Sequence, residues 1–529
     1  MNKLFSFLKS NLPIFILFLV WLPITFFNTK IYWMLVDDGW DVVFSRTLFE
    51  KLSSINLAGF VSQLLETGGR FRPVYWMYHM WVWLIGGNSY QFHHFAHMLV
   101  IGITVLFIYL IIKELTHSKY VSFFAALFYL LTPLNTENVF RLGPQEPLLA
   151  MFLGITFYLV IKGQKIFLPC LIVILAIFSK ETAVAILPVL FFYYIYGKKN
   201  KLVGNKKQSS YLWTTACISS VVLILTTFLR RGGYSSNYSF DLSMWFDTLL
   251  IYIKELSNNT LYIFPLFSII YLTRTVARLF KRQKMIASKL DLFEFLFFAG
   301  FFCFLVIQLP WKYALTRYLM PSIFFLTLFI FTEVYIVHRL LSRIKLSRQY
   351  RQVFKYLLVF AGIYISLIWG IVLIYKEAAY SPLLSPGVFA KMAGYPKNTT
   401  ILMNMLEGEA TIELVYETQA ILSEFWGRSD LKVEYLDVQN LPKNNHVVVD
   451  SDQFLRKYPT ETVDTLYKSE FTSIQGVSRG LVMTTPLGLI KQSMKKLIDL
   501  ILYGYRLNSN GLYTFYYNAI NWDFYYLKE

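Results

Sequence analysis

"VDDGW" at residues 36–40 places two adjacent carboxylates, Asp37 and Asp38, just beyond an apolar run, with a third at Asp41. A free Asp, with a pKa of about 3.9, is a feeble base. A neighbouring carboxylate and partial desolvation both raise that value and make a better proton acceptor. Taken alone, the pair reads first as helix capping or plain solvation. Its company decides. "GGRFRP" (68–73) carries Arg72, and "TPLNTENVFRLGPQEP" (132–147) carries Glu137, Arg141, Gln145 and Glu146. "FSKET" (178–182) carries Lys180 and Glu181, and "PWKYALTRYLMPS" (310–322) carries Lys312, Arg317 and Tyr318. Charges beside apolar membrane runs are costly and mark function. One arginine there can snorkel and mean little. Several cations on the side of an acidic pair argue for an anionic ligand, because Arg offers phosphate a bidentate fork and Lys a point charge.

A carboxylate base beside a cationic phosphate cradle describes one reaction class. An acceptor nucleophile displaces a phosphate-linked group from a lipid. The cations stabilise the departing phosphate as charge develops, and the carboxylate takes the acceptor's proton. "FHHFAHM" (92–98) adds His93, His94 and His97 at helical spacings that would suit a metal. No Cys or close carboxylate accompanies them, so polar contacts at a cavity rim are the simpler reading.

The elements that must position these residues are membrane helices. Of 529 residues, 56% are hydrophobic and only 16% charged, with a mean hydropathy of +0.47, which excludes an ordinary soluble globule. The net charge of +18 lies mostly in short loops between apolar runs. It therefore reads as a topology signal, with no nucleic-acid partner expected. Cys170, Cys217 and Cys303 fall inside apolar runs and read as packing residues.

Eleven spans are expected, at 11–28, 93–112, 120–135, 147–161, 166–178, 183–196, 211–229, 259–273, 291–309, 320–337 and 355–375. Lys3 and Lys9 precede the first, and no small-residue cleavage site follows it, so it reads as an uncleaved span. With the N-terminus cytoplasmic, Lys113/Lys119, Lys162/Lys165, "KKNKLVGNKK" (198–207), "RTVARLFKRQK" (274–284) and "HRLLSRIKLSRQYRQ" (338–352) all become inner loops. The acidic pair and its company then lie outside. The suspicious charges gather on that one side, which favours one-sided chemistry over transport. Segment 166–178, at 1.5 Å per residue, reaches only about 20 Å, which sets Lys180 and Glu181 at the floor of an external cavity. The first outer loop, 29–75, is expected to fold as short interfacial helices.

The chain divides at about 376. Residues 1–376 read as the membrane bundle and 377–529 as a small α/β domain outside the membrane. "NTTILMNML", "NHVVVDSD" and "GLVMTTP" read as strands and "TIELVYETQAILSEFW" as a helix. An amphipathic run follows Pro486, and the C-terminus is crowded with Tyr and Phe. Both suit membrane-surface contact or packing onto the α/β domain.

Taken in order, "VDDGW", "RFRPVYWMYHMWVWLIGGNSYQFHHFAHML", "TPLNTENVFRLGPQEPL", "SKETA" and "TRYLMPS" resemble the motifs of the GT-C superfamily, polytopic glycosyltransferases that use polyprenyl-phosphate sugars. They look most like the protein O-mannosyltransferase-related branch, and the likeness covers about residues 30–325. The resemblance implies a mostly α fold, a polytopic transmembrane helical bundle around an outward cavity. It implies inverting transfer of a sugar, a hexose such as mannose, from a polyprenyl-phosphate-linked donor to a protein or glycan/lipid acceptor. By motif position Asp37 would be the base and Asp38 its helper. Arg141, Lys180 and Arg317 would contact the lipid phosphate. Arg72, His97, Glu137 and Glu181 would shape the sugar and acceptor site. Some members hold a divalent cation (Mg or Mn) on the acidic residues and others hold none, so a metal on Asp37 and Asp38 stays open and no other cofactor is implied. This chain departs from the mannosyltransferases with tetratricopeptide repeats, since an α/β domain follows its last span. A transporter or flippase for a lipid-linked saccharide is the alternative, and a sensor or scaffold gives the acidic pair no purpose.

Overall fold

The computed structural model describes residues 2–29, 38–66, 71–200, 206–228, 241–260, 262–282, 284, 286–311, 315–341, 386–407, 409–442, 445–451, 456–459, 462–463, 465, 467–470 and 522–527. Helix α1 (Asn2–Asn28) leads to three shorter helices, α2 (Asp38–Ser53), α3 (Leu57–Glu66) and α4 (Pro73–Gly86). Helices α2 and α3 realise the short helices expected of the first outer loop, 29–75, while α4 lies almost wholly beyond it, where no element was expected. The bundle continues with α5 (Tyr90–Thr116), α6 (Lys119–Leu131), α7 (Thr136–Phe140), α8 (Glu146–Lys162), α9 (Phe167–Ile177) and α10 (Ile186–Asn200). It closes with α11 (Lys206–Phe228), α12 (Leu242–Asn259), α13 (Ile263–Phe280), α14 (Lys289–Val306) and α15 (Met320–Leu341). Among the described residues, five stretches are long and apolar enough to cross a membrane: Asn11–Asn28, Tyr90–Thr116, Lys207–Thr227, Ile263–Phe280 and Thr316–Leu340. These are the helices of an integral membrane protein.

The first ten expected spans fall on helices, and the last, 355–375, lies outside the described residues. Helix α5 sits at the centre, packed by α1, α6, α8 and α15. Ser89 and Ser118 cap α5 and α6, and Ser288 closes a reciprocal capping box with Asp291 at α14. Gly300 lets α14 approach α15, where a Cβ would lie 2.6 Å from the Phe325 ring.

The elements differ from expectation at α13 and at α12. Helix α13 runs on to Phe280, through the stretch read as an inner loop from Arg274. Arg274 and Arg278 do not end it, because both find carboxylate partners inside the bundle. Helix α12 forms where only a loop was read. Asp241 caps it by accepting from the Ser243 N–H at 2.9 Å. Thr248, Tyr252 and Leu256 bury one face, while Leu242, Phe246 and Leu250 stay exposed.

Beyond the bundle, α16 (Pro386–Ala393) and α17 (Glu409–Phe425) pack on a five-stranded sheet ordered β2-β1-β3-β5-β4. Strands β1 (Thr400–Met403), β2 (Lys432–Tyr435) and β3 (His446–Ser451) run parallel. Strand β5 (Trp522–Leu527) pairs antiparallel with β3 and with β4 (Tyr467–Glu470). Ile401, Met403, Val433, Val447 and Val449 meet α16 and α17, while Leu402, Val448 and Tyr525 line the other face. The aromatic stretch 522–527 therefore joins the sheet, the second of the two expected possibilities. The expected strand at 480–486 and the amphipathic run after Pro486 lie outside the described residues.

Candidate functional site

The loop between α6 and α8 is the hub of the site. A single 3-10 turn, Pro133–Asn135, follows α6, and Asn135 Nδ2 donates back to the Tyr129 carbonyl at 3.0 Å. Helix α7 then sets Glu137 and Arg141 four residues apart on one face, and Arg141 Nη1 lies 2.5 Å from Glu137 Oε1. Arg317 arrives from the turn Thr316–Leu319 ahead of α15 and donates Nη1 to the same Oε1 at 3.3 Å. Asn138 Nδ2 donates to the Arg317 carbonyl at 2.7 Å. His97 Nε2 of α5 lies 2.6 Å from the Asn138 carbonyl. Two loops separated by 180 residues are thus pinned together by neighbouring groups on α7.

Lys180 enters from the end of α9. Its ammonium pairs with Glu146 in the first turn of α8, and both side chains are buried. The same ammonium lies 4.9 Å from the Tyr318 ring centre, and the Arg317 guanidinium 5.2 Å from it on the same ring. Trp311 meets Tyr318 edge-on with 5.9 Å between ring centres. Helix α12, with Tyr252 buried on it, packs against the Pro133–Asn135 turn. The cluster holds three cations, Arg141, Lys180 and Arg317, against two carboxylates, Glu137 and Glu146, so it carries one net positive charge.

Both flanks of the first loop are tied to this hub. Asn28, the last residue of α1, donates Nδ2 to the Val139 carbonyl at 2.6 Å. Tyr75 of α4 donates its hydroxyl to the Gly143 carbonyl at 2.9 Å. The Val74 N–H reaches the Phe178 carbonyl at 3.2 Å. Arg72, just ahead of α4, lies over Tyr75 at 5.8 Å and Trp76 at 5.9 Å, and its Nε has no hydrogen-bond partner among the described residues. Glu181 opens the short turn Glu181–Ala185 next to Lys180. Asp37 lies outside the described residues. Asp38 begins α2, with its side chain undescribed.

The structure therefore brings Glu137, Arg141, Lys180 and Arg317 into one cluster, with Arg72 and Glu181 anchored at its margins. His97 acts on it through Asn138. His93 turns Nε2 to the Gly87 carbonyl at 2.9 Å, so these histidines make polar backbone contacts. Among the described residues no group of three or more His, Cys, Asp or Glu is arranged to hold a metal ion. Glu146 as the partner of Lys180, and Tyr252 as a wall of the site, were not legible. The first pairing spans 34 residues. The second had only the spacing of Thr248, Tyr252 and Leu256 as its signal.

One expectation fails. Buried charge is not confined to one end of the bundle. Arg274 of α13 bonds Glu294 of α14 and Glu333 of α15, and Arg278 bonds Asp291 at 2.9 Å. Glu333 lies 16 residues beyond Arg317 along the chain, mostly on α15, so about 24 Å separates the two clusters.

No protein-family profile matches the chain, and neither does any curated protein. Among solved structures, the chain is similar to the crystal structure of ArnT from Cupriavidus metallidurans bound to undecaprenyl phosphate. That match has 11% identity and a TM-score of 0.47, and covers 84% of this chain and 93% of that one. It is also similar to the oligosaccharyltransferase of Archaeoglobus fulgidus in complex with Zn and sulfate, at 10% identity and a TM-score of 0.43, covering 82% and 68%. The same organism's oligosaccharyltransferase AglB, in complex with an inhibitory peptide and a dolichol-phosphate, matches at 10% identity and a TM-score of 0.44, covering 78% and 64%.

Proposed function

We propose that this chain is a membrane glycosyltransferase of the GT-C kind, moving a sugar from a polyprenyl-phosphate carrier to a protein or glycan/lipid acceptor. The observation that carries the reading is the meeting of Arg141, Lys180 and Arg317, from three separate loops, in one cluster where Arg141 and Lys180 are buried and Arg317 is partly exposed. The ordered motifs of the sequence support it. Residues 1–376 form the catalytic bundle in this reading and 377–529 an extracytoplasmic α/β domain, with the N-terminus cytoplasmic.

The lipid phosphate enters beside Glu137 and competes with that carboxylate for the two guanidiniums. The acceptor attacks the anomeric carbon as Asp37 takes its proton, assisted by Asp38. The bond from that carbon to the phosphate oxygen breaks with inversion, and the phosphate leaves with the electron pair. Arg141, Arg317 and Lys180 hold the charge that develops on it. A divalent cation, where one is held, would sit on Asp37 and Asp38 and add positive charge near the phosphate.

The test uses the full chain in proteoliposomes with a panel of polyprenyl-phosphate hexoses, mannose included, and measures release of polyprenyl phosphate. The wild type releases it. Asp37→Asn lowers the rate by about 100-fold or more, the scale of a lost general base. Full turnover by a normally folded D37N chain removes the base assignment.

A saccharide-lipid transporter is the second reading, and the Arg274 cluster at the far end of the bundle favours it. It predicts movement of the lipid-linked sugar across the vesicle wall with no release of polyprenyl phosphate.

A further inference from the structure

We infer that the α/β unit sets the position of helix α2, and so of Asp38 at its start, with Arg46, Val42 and Glu424 as positioning residues. The inference rests on the transferase reading above. Helix α2 begins at Asp38 and is gripped on two opposite faces. Val42 is 2% exposed and belongs to the core of the α/β unit, with Phe389 and Met392 of α16 and Leu422 of α17. One turn on, Arg46 Nη1 pairs with Glu424 of α17 at 2.5 Å. Phe44 and Leu48 instead belong to the core of the bundle, and the Phe44 ring lies 4.2 Å from that of Trp76. Two residues along a helix is a rotation of about 200°, so positions 42/46 and 44/48 lie back to back.

The first grip falls one helical turn from Asp38, about 6 Å along the axis. The same apolar cluster takes in Leu142, the residue after Arg141. The α/β unit thus touches both the helix that starts at Asp38 and the loop that carries Arg141. A shift of that unit by 1 Å moves α2 against Arg141 and Arg317, and a misplacement of that size costs about 100-fold in rate. Arg46 and Glu424 are both partly exposed. An exposed pair of this kind adds little stability; what it supplies is direction. Arg46 also meets Glu50, four residues on, at 3.3 Å. The reversal experiment therefore needs Glu50 neutralised.

The experiment uses the full chain in proteoliposomes in a Glu50→Gln background, with Arg46→Glu, Glu424→Arg and the double reversal. Each single variant is expected to lower kcat about tenfold, with KM for the lipid donor within twofold, because the cation cluster is untouched. The double reversal restores kcat. Thermal melting stays constant throughout, which a merely structural role would not allow. Hydrogen exchange at α2 amides 42–48 reads the grip without any substrate, faster in both singles and restored in the double. Unchanged exchange and kcat in the singles overturn the inference, as does failure of the double to recover. Exchange that responds as described in a chain whose wild type releases no polyprenyl phosphate overturns the transferase reading and leaves the grip standing.

Discussion

Lys180 and Glu146 are paired inside the bundle, with 3% and 1% of their side chains exposed. Glu146 Oε2 has no hydrogen-bond partner among the described residues. Removing one partner of such a pair leaves a buried charge and costs about 3–5 kcal/mol, whereas replacing both by apolar groups is close to neutral. Lys180→Met alone is therefore expected to lower the melting temperature sharply in detergent. Adding Glu146→Leu should recover the melt without recovering transfer. A melt that K180M leaves unmoved would deny the pair its buried character.

Glu137 Oε1 accepts from Arg141 and Arg317 at once. A phosphate that binds here takes over hydrogen bonds from a carboxylate. Charge-assisted bonds of this type are worth about 1.5–3 kcal/mol, so Arg317→Ala should weaken binding of polyprenyl phosphate about 10- to 100-fold. Arg317→Lys keeps the charge and loses the fork, and should recover only part of the loss. Glu137→Gln frees both guanidiniums and should tighten binding of the product lipid. Titration of each variant with polyprenyl phosphate checks all three. Equal affinity for R317K and the wild type would mean that the fork is unused.

The reach of the sequence can be judged residue by residue. Long apolar runs made α5, α11 and α15 plain, and polar punctuation placed the loops of Glu137, Lys180 and Arg317 at one end. Pairing across distance was invisible. Nothing near Arg274 points to Glu333, 59 residues on, so its charge read as a loop signal. Helix α12 hid because its exposed face is as apolar as its buried one. Strand β2 is four residues long and β5 sits at the C-terminal edge of the sequence, and each depends on neighbours for its pairing. The grip of α17 on α2 had no local signal at all.

Arg428 donates to both oxygens of Asp430, at 2.9 and 2.7 Å, and Asp430 also accepts the Asn398 N–H at 3.3 Å. The Arg428 hydrogen bonds hold the Asp430 carboxyl well below the usual carboxylate range. The folded value is depressed, so this contribution is present above the unfolded value of about 3.9 and is lost as pH falls through the folded one. Exchange at amides 398–400, corrected for the intrinsic rate, is expected to quicken below about pH 4. Asp430→Asn should show the quickened exchange at neutral pH. An acid response that persists in D430N would assign it to another group.

Arg274 Nη2 bonds Glu294 and also Glu333 Oε2, the latter at 2.5 Å, while Arg278 and the Ser288 cap share Asp291. Glu333 is fully buried, and its Oε1 has no partner among the described residues. Removing Arg274 strands two carboxylates in the middle of three helices. Removing Arg278, whose side chain is 27% exposed, strands one that is already capped. Arg274→Ala is therefore expected to cost about 3–5 kcal/mol and Arg278→Ala distinctly less. Glu333→Gln keeps the shape and removes one charge from a cluster of three carboxylates and two guanidiniums, so its melt should stay near the wild type. With about 24 Å between this cluster and Arg317, turnover per folded E333Q molecule should also match the wild type. Melting curves in detergent rank the three variants. Equal damage by R274A and R278A would show that the carboxylates do not depend on the shared guanidinium. A transfer defect in folded E333Q would instead tie this end of the bundle to the chemistry at the other.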